Sequence, residues 1–87
     1  MKKLTIDDID NVIADAEYIV KGTMTICILT LKNGYKVTGE SACLDEANFN
    51  AEIGQDIAHV NAASKIWELE AYLLAQKRYE EAENAKS

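Results

Sequence analysis

The stretch Thr25-Ile26-Cys27-Ile28-Leu29-Thr30-Leu31-Lys32-Asn33-Gly34-Tyr35-Lys36-Val37-Thr38-Gly39-Glu40-Ser41-Ala42-Cys43 decides the fold. β-branched and aromatic residues flank Asn33-Gly34 and predict two strands, Met24–Leu31 and Tyr35–Cys43. Asn-Gly is the dipeptide that most favours positive φ at both centres of a two-residue hairpin turn. Pairing outward from it sets Lys32 against Tyr35, Thr30 against Val37, Cys27 against Glu40 and Met24 against Cys43. One face of the hairpin then carries Met24, Ile26, Ile28 and Val37, with Gly39 opposite Ile28 leaving room for a helix. That is the expected core face. The other carries Thr25, Cys27, Leu29 and Leu31 against Lys36, Thr38, Glu40 and Ala42, and its leucines ask for partial cover by another element or subunit.

Upstream, Thr5 has the character of a helix N-cap, with Asp8 completing a capping box and Leu4 stapling to Ile9. Ile6, Ile9, Val12, Ile13 and Ala16 recur at helical spacing and predict a first helix over 6–15. A short strand, Glu17–Val20, and a turn at Lys21-Gly22 would complete a meander. Downstream, Asp45 repeats the entry signal, with Leu44 stapling to Phe49. The pattern then stays helical to about Glu83 without a proline. Its apolar residues change face. Ile53, Ile57 and Val60 lie along one side, while Ala62, Ile66, Leu69 and Leu73 lie about 170° away at 100° per residue. One straight helix cannot bury both stripes on one sheet, so a kink or split is expected near residues 61–67. The alternative is that the second half packs on another molecule.

The fold class is therefore α+β: a short N-terminal helix, a two- or three-stranded antiparallel meander and a C-terminal helical segment. Eighty-seven residues with 48% hydrophobic content make one domain, 1–87, with ends at 1–4 and 84–87 expected to fray. A domain of this size buries only about 60–65% of its unfolded surface, so self-association would help it. Net charge is −6, and residues 45–87 carry −5 of it. That balance argues against direct nucleic-acid binding and against an anionic membrane. Acidic residues precede any apolar run at the N-terminus, and no stretch is long enough to span a bilayer, so a cytoplasmic protein is expected. In the register above, Cys27 and Cys43 point to opposite faces and stay reduced.

No catalytic, cofactor or metal residue is assigned. Glu52, Asp56 and His59 sit at i, i+4 and i+7 on one helical face, and an Asp-x-x-His spacing can present a carboxylate and an imidazole to a metal. The chain has one histidine, so a second such motif would have to come from another copy. A solvated local interaction is the competing reading. Cys27 beside Glu40 would have its thiolate disfavoured. The glycines form no phosphate loop. Residues suited to contact are Trp67, Glu68, Glu70 and Tyr72 on the helix, with Leu29 and Leu31 on the sheet, since aromatic side chains bury much area with few rotamers to freeze.

Residues 25–35 and 37–43, with Asn48-Phe49-Asn50-Ala51-Glu52-Ile53-Gly54 and Lys65-Ile66-Trp67-Glu68-Leu69-Glu70-Ala71-Tyr72-Leu73-Leu74, resemble a small family encoded by tailed phages and prophages. It is the family named after gene product forty-nine of phage N-four and gene sixty-six of phage Sf-six. Members often have proline where Glu68 stands and glycine where Ala71 stands, which would suit a helix boundary; this chain has neither. The resemblance implies a phage accessory gene acting inside a bacterium and supplies no catalytic residue. The expected function is non-catalytic, stoichiometric binding to a host protein, such as one whose basic surface otherwise holds nucleic acid, in host takeover or counter-defence. The alternatives are a self-associating assembly module, with a homodimer as its simplest form, and a small-ligand or metal-binding protein using Glu52, Asp56 and His59.

Overall fold

Thr5 begins the first helix as its side chain dictates. In the computed structural model, which describes residues 3–86, Thr5 Oγ1 accepts from Asp8 N at 3.3 Å. Asp8 Oδ2 accepts from Thr5 N at 2.9 Å. Two orphan donors of the helix end are thereby satisfied. This helix, α1 (Ile6–Asn11), stops earlier than its apolar spacing predicts. The β-branched pair Val12-Ile13 leaves it for the sheet, and Val12 O accepts from Lys32 N at 2.9 Å.

Three antiparallel strands follow in the order β1-β2-β3: β1 (Ile13–Lys21), β2 (Met24–Leu31) and β3 (Lys36–Ala42). β1 is much longer than the segment Glu17–Val20 because pairing with β2 draws in Ile13 and the weak strand formers Asp15 and Ala16, with Ala14 carried along at an irregularity in the ladder. Its turn is Gly22-Thr23, with Gly22 at φ +60°. A glycine at the first of two central positions is the mark of a type II′ hairpin.

The Asn33-Gly34 hairpin forms, but its loop has three residues. Leu31 N donates to Tyr35 O at 2.8 Å and Gly34 N to Leu31 O at 2.9 Å. Only Gly34 takes positive φ, at +91°, while Asn33 Oδ1 accepts from Tyr35 N at 3.0 Å. The register therefore differs by one residue from the expected pairing: Leu29 faces Val37, Cys27 faces Gly39 and Met24 faces Ala42. A one-residue slip turns every β3 side chain over. Val37, Gly39 and Ser41 thus join Thr25, Cys27, Leu29 and Leu31 on one face. Cys43 falls on that same face, correcting the expectation that the two cysteines oppose. It lies beside Thr23, four residues along from Cys27, and both thiols are free.

The long helix α2 (Ala51–Lys86) covers this face, the one opposite to the expected core face. It runs unbroken, without the split expected near 61–67, and continues through Glu68 and Ala71. It need not change face because the large apolar stripes are not what it buries. Gly54, Ala58, Ala62 and Ile66, at successive i+4 positions, form the contact line, and the last three are fully buried. The core is Ile9, Cys27, Leu29, Leu31, Val37, Ala58, Ala62 and Ile66. Ile53, Ile57, Val60 and Leu73 remain exposed, and Leu69 sits at the margin.

Asp45 caps a 3-10 turn over Glu46–Asn48 instead of α2, whose first turn is held by Asn50 Oδ1 accepting from Ile53 N at 3.1 Å. Leu44 is fully exposed and staples nothing. A helix of 36 residues outruns strands of seven to nine, so the molecule measures 63 × 21 × 17 Å. Of the ends expected to fray, Leu4 packs against the core and residues 84–86 continue α2. Residues 1, 2 and 87 lie outside the described residues.

Candidate functional site

The register that buries Leu29 leaves the opposite sheet face bare. Alternation places Ile19 on β1, Met24, Ile26 and Ile28 on β2, and Lys36, Thr38 and Glu40 on β3 together on it. Ile19 is 44% and Met24 42% exposed, Ile26 and Ile28 are half-buried, and α2 lies on the other side. Asp15, Glu17, Lys21, Lys36 and Glu40 form a mixed charged rim. Lys36 Nζ donates to Thr30 Oγ1 at 2.7 Å, which holds one rim charge over the sheet. Apolar side chains at the centre and charges around them are the anatomy of a protein contact. The sequence pattern predicts Met24, Ile26 and Ile28 as core, and the structure places them on this bare face.

The seam under α2 contains a second feature. Tyr18 pairs with Cys27 across the ladder, and its hydroxyl lies 3.0 Å from His59 Nδ1. Burial pushes the Tyr18 phenol above its ordinary value, and the neighbouring Cys27 adds to this. Burial likewise raises the Cys27 thiol, against a smaller opposing effect of the Tyr18 hydroxyl. Both groups are thus held neutral, and Cys27 is unsuited to nucleophilic work. The cause is burial, not Glu40, which lies on the other face. Since both folded values exceed the unfolded ones, the folded state binds the extra protons, and stability falls as pH rises past the ordinary values of 9.0 and 10.0. Urea midpoints measured from neutral pH to pH 10.5 should decline, and Cys27→Ala should flatten the first part of that decline. A slope unchanged by the substitution would assign it to other groups.

Thr25 is fully buried, and its Oγ1 has no hydrogen-bond partner among the described residues. It lies beneath the first turns of α2, against Gly54. A Cβ added at Gly54 would stand 2.9 Å from that oxygen, and Gly54 O already accepts from Ser41 Oγ at 2.7 Å. Beside this contact, Ser41, Cys43, Asn48, Phe49, Asn50, Ile53 and Ile57 line an open cleft of about 200 Å³.

The residues expected to make contacts are not gathered in one patch. Leu29 and Leu31 lie in the core under α2, so the cover they ask for comes from this chain. Trp67 is half-buried in a groove with Ile6, Ile9, Val60 and Ala63 between the two helices. Glu70 lies near Leu4 and Lys77. Glu68 stands on the β3 side with Lys65, Tyr35 and Lys36. Tyr72 is exposed. Helical spacing puts Trp67 and Glu70 on one flank of α2 and Glu68 and Tyr72 on the other. Glu52 and Asp56 are exposed, and His59 is engaged with Tyr18. Among the described residues no three His, Cys, Asp or Glu side chains are grouped to hold a metal ion. No described helix is long and apolar enough to cross a membrane.

The matching family model is that of the Phage protein (N4 Gp49/phage Sf6 gene 66) family, over residues 4–78. The chain belongs to this family. The match extends from Leu4, where packing on the core begins, through the sheet and the part of α2 that covers it. The phage-family region thus contains the contact line Gly54-Ala58-Ala62-Ile66 and the whole bare sheet face. Comparison with curated proteins gives no match, and neither does comparison with solved structures.

Proposed function

We propose that this phage-family protein acts by stoichiometric, non-catalytic binding to a host protein in the bacterial cytoplasm, with the bare sheet face as its contact. The observation that carries the reading is the cluster Ile19, Met24, Ile26 and Ile28. Four large apolar side chains share an open face, on a chain small enough to gain from burying each of them. Fully burying such a side chain is worth about 1.5–3 kcal/mol relative to leaving it exposed. The partner would offer an apolar ridge within a rim of mixed charge that complements Asp15, Glu17, Lys21, Lys36 and Glu40. Net charge of −6 would speed its approach to a surface that also attracts nucleic acid. Host takeover and counter-defence both suit such an inhibitor.

The test uses tagged protein recovered from bacterial lysate, compared with Met24→Asp and Ile28→Asp variants whose fold is checked by circular dichroism. A host protein should copurify in fixed ratio with the wild-type chain. Its affinity should fall about tenfold or more in each variant, as for a hot-spot loss. A partner bound equally by all three chains, or purified protein that converts a substrate, would overturn the reading.

A further inference from the structure

We infer that two copies of the chain join through β1, running antiparallel across a two-fold axis at Tyr18, to form one six-stranded sheet. β1 is a sheet edge of nine residues, and every residue from Ala14 to Lys21 is exposed, Tyr18 to 36% with its hydroxyl turned to His59. Long edges are usually blunted by proline, a bulge, charged side chains or a covering element, and the charges of β1, Asp15, Glu17 and Lys21, are of both signs. The irregularity in β1 sits at its far end, between Ile13 and Asp15, and Asp15–Lys21 is regular. α2 lies over β2 and β3 instead. On the opposite edge, by contrast, Asn61 Nδ2 donates to Glu40 O at 2.7 Å, so α2 takes up part of β3's free backbone. One edge is guarded and the other is open.

The turn at Gly22-Thr23 fixes which backbone groups are available. In a two-residue hairpin the flanking pair, here Lys21 and Met24, exchanges both hydrogen bonds. Ile19 and Glu17 therefore also face β2, while Val20, Tyr18 and Ala16 turn their N–H and C=O groups outward. These three suit a second antiparallel strand.

Charge then selects the register. Centring on Glu17 would set that carboxylate against its own copy, which is unfavourable. Centring on Ile19 pairs only residues 17–21. Centring on Tyr18 pairs residues 15–21, bonds all three outward groups, and places Asp15 against Lys21 of the partner subunit twice. It also sets Ala16 against Val20 of the partner subunit, and Tyr18 against its own copy. The bare apolar faces of the two copies become one continuous surface.

The experiment is light scattering of the full chain over a dilution series, with Lys21→Asp and with the double swap Asp15→Lys/Lys21→Asp. Both positions are exposed on the sheet and lie outside the core. The wild-type chain should dimerise reversibly. Lys21→Asp should weaken the dimer by about tenfold or more, since two attractive pairs become two repulsive ones. The double swap should restore it. Three results would each overturn the pairing: a wild-type chain that stays monomeric at high micromolar concentration, association indifferent to Lys21→Asp, or rescue by Glu17→Lys/Lys21→Glu in place of the Asp15 swap.

Discussion

A Gly39→Ala chain loses about 3 kcal/mol or more of folding stability, at or beyond the upper end of what overpacking a core costs. At most strand positions alanine for glycine is neutral or helpful, because it restricts the unfolded chain. Here the sign reverses. A Cβ at position 39 would overlap Ala62 N and Ala58 O and stand 2.7 Å from Asn61 C. These are backbone atoms in the middle of a helix and cannot swing aside as a side chain would. α2 must lift, and lifting uncovers Cys27, Leu29 and Val37 together. Gly34→Ala provides the comparison, because nothing lies within 4 Å of its added Cβ and its cost is φ strain alone. That cost is about 1–2 kcal/mol. Urea unfolding of the two variants separates the cases. Equal losses would mean that the close approach of α2 to Gly39 is not what fixes the helix.

Leu29→Ala should cost about 3 kcal/mol, within the 2–5 kcal/mol range for emptying a packed leucine site. Leu29 is fully buried, flanked in the sheet by Ala16 and Val37, and roofed by α2. The buried α2 residues of that core are Ala58, Ala62 and Ile66, whose positions are set by the helix backbone, so the gap stays open. Ile28→Ala, one residue away on the same strand, should cost about 1 kcal/mol, because Ile28 is half-buried on the bare face and leaves no enclosed cavity. The pair is diagnostic, since the expected hairpin register implies the opposite order. Chemical denaturation of both variants checks it, and a larger loss at Ile28 would place α2 on the wrong face.

Much of the architecture was legible for local reasons. Thr5 and Asp8 lie three residues apart, so the capping box that starts α1 needs no tertiary help. β-branched density in Met24–Leu31 and glycine in each turn determined the meander. Gly39 also signalled a close helix approach, on the hairpin if not on the right face. The candidate contact face was less legible, because Ile26 and Ile28 satisfy the pattern of a core strand. Only the cover of α2 distinguishes core from surface there. Gly54, Ala58, Ala62 and Ile66 were the available clue. Small residues four apart on a helix mark where backbones can touch, whereas Ile53, Ile57 and Val60 dominate the apolar pattern there. Residue type singles out Trp67, Glu68, Glu70 and Tyr72, and helical rotation distributes them over two flanks.

By itself the sequence determined a short capped helix, an antiparallel meander and a helical tail, since caps, turns and strand propensity act over a few residues. Tertiary structure alone decided which face of that meander is inside. A loop of three residues at Lys32-Asn33-Gly34, in place of two, turned β3 over and gave α2 a glycine to lie against. Two nearly equal local solutions differ by one peptide unit, and the helix resting on Gly39 fits only one of them.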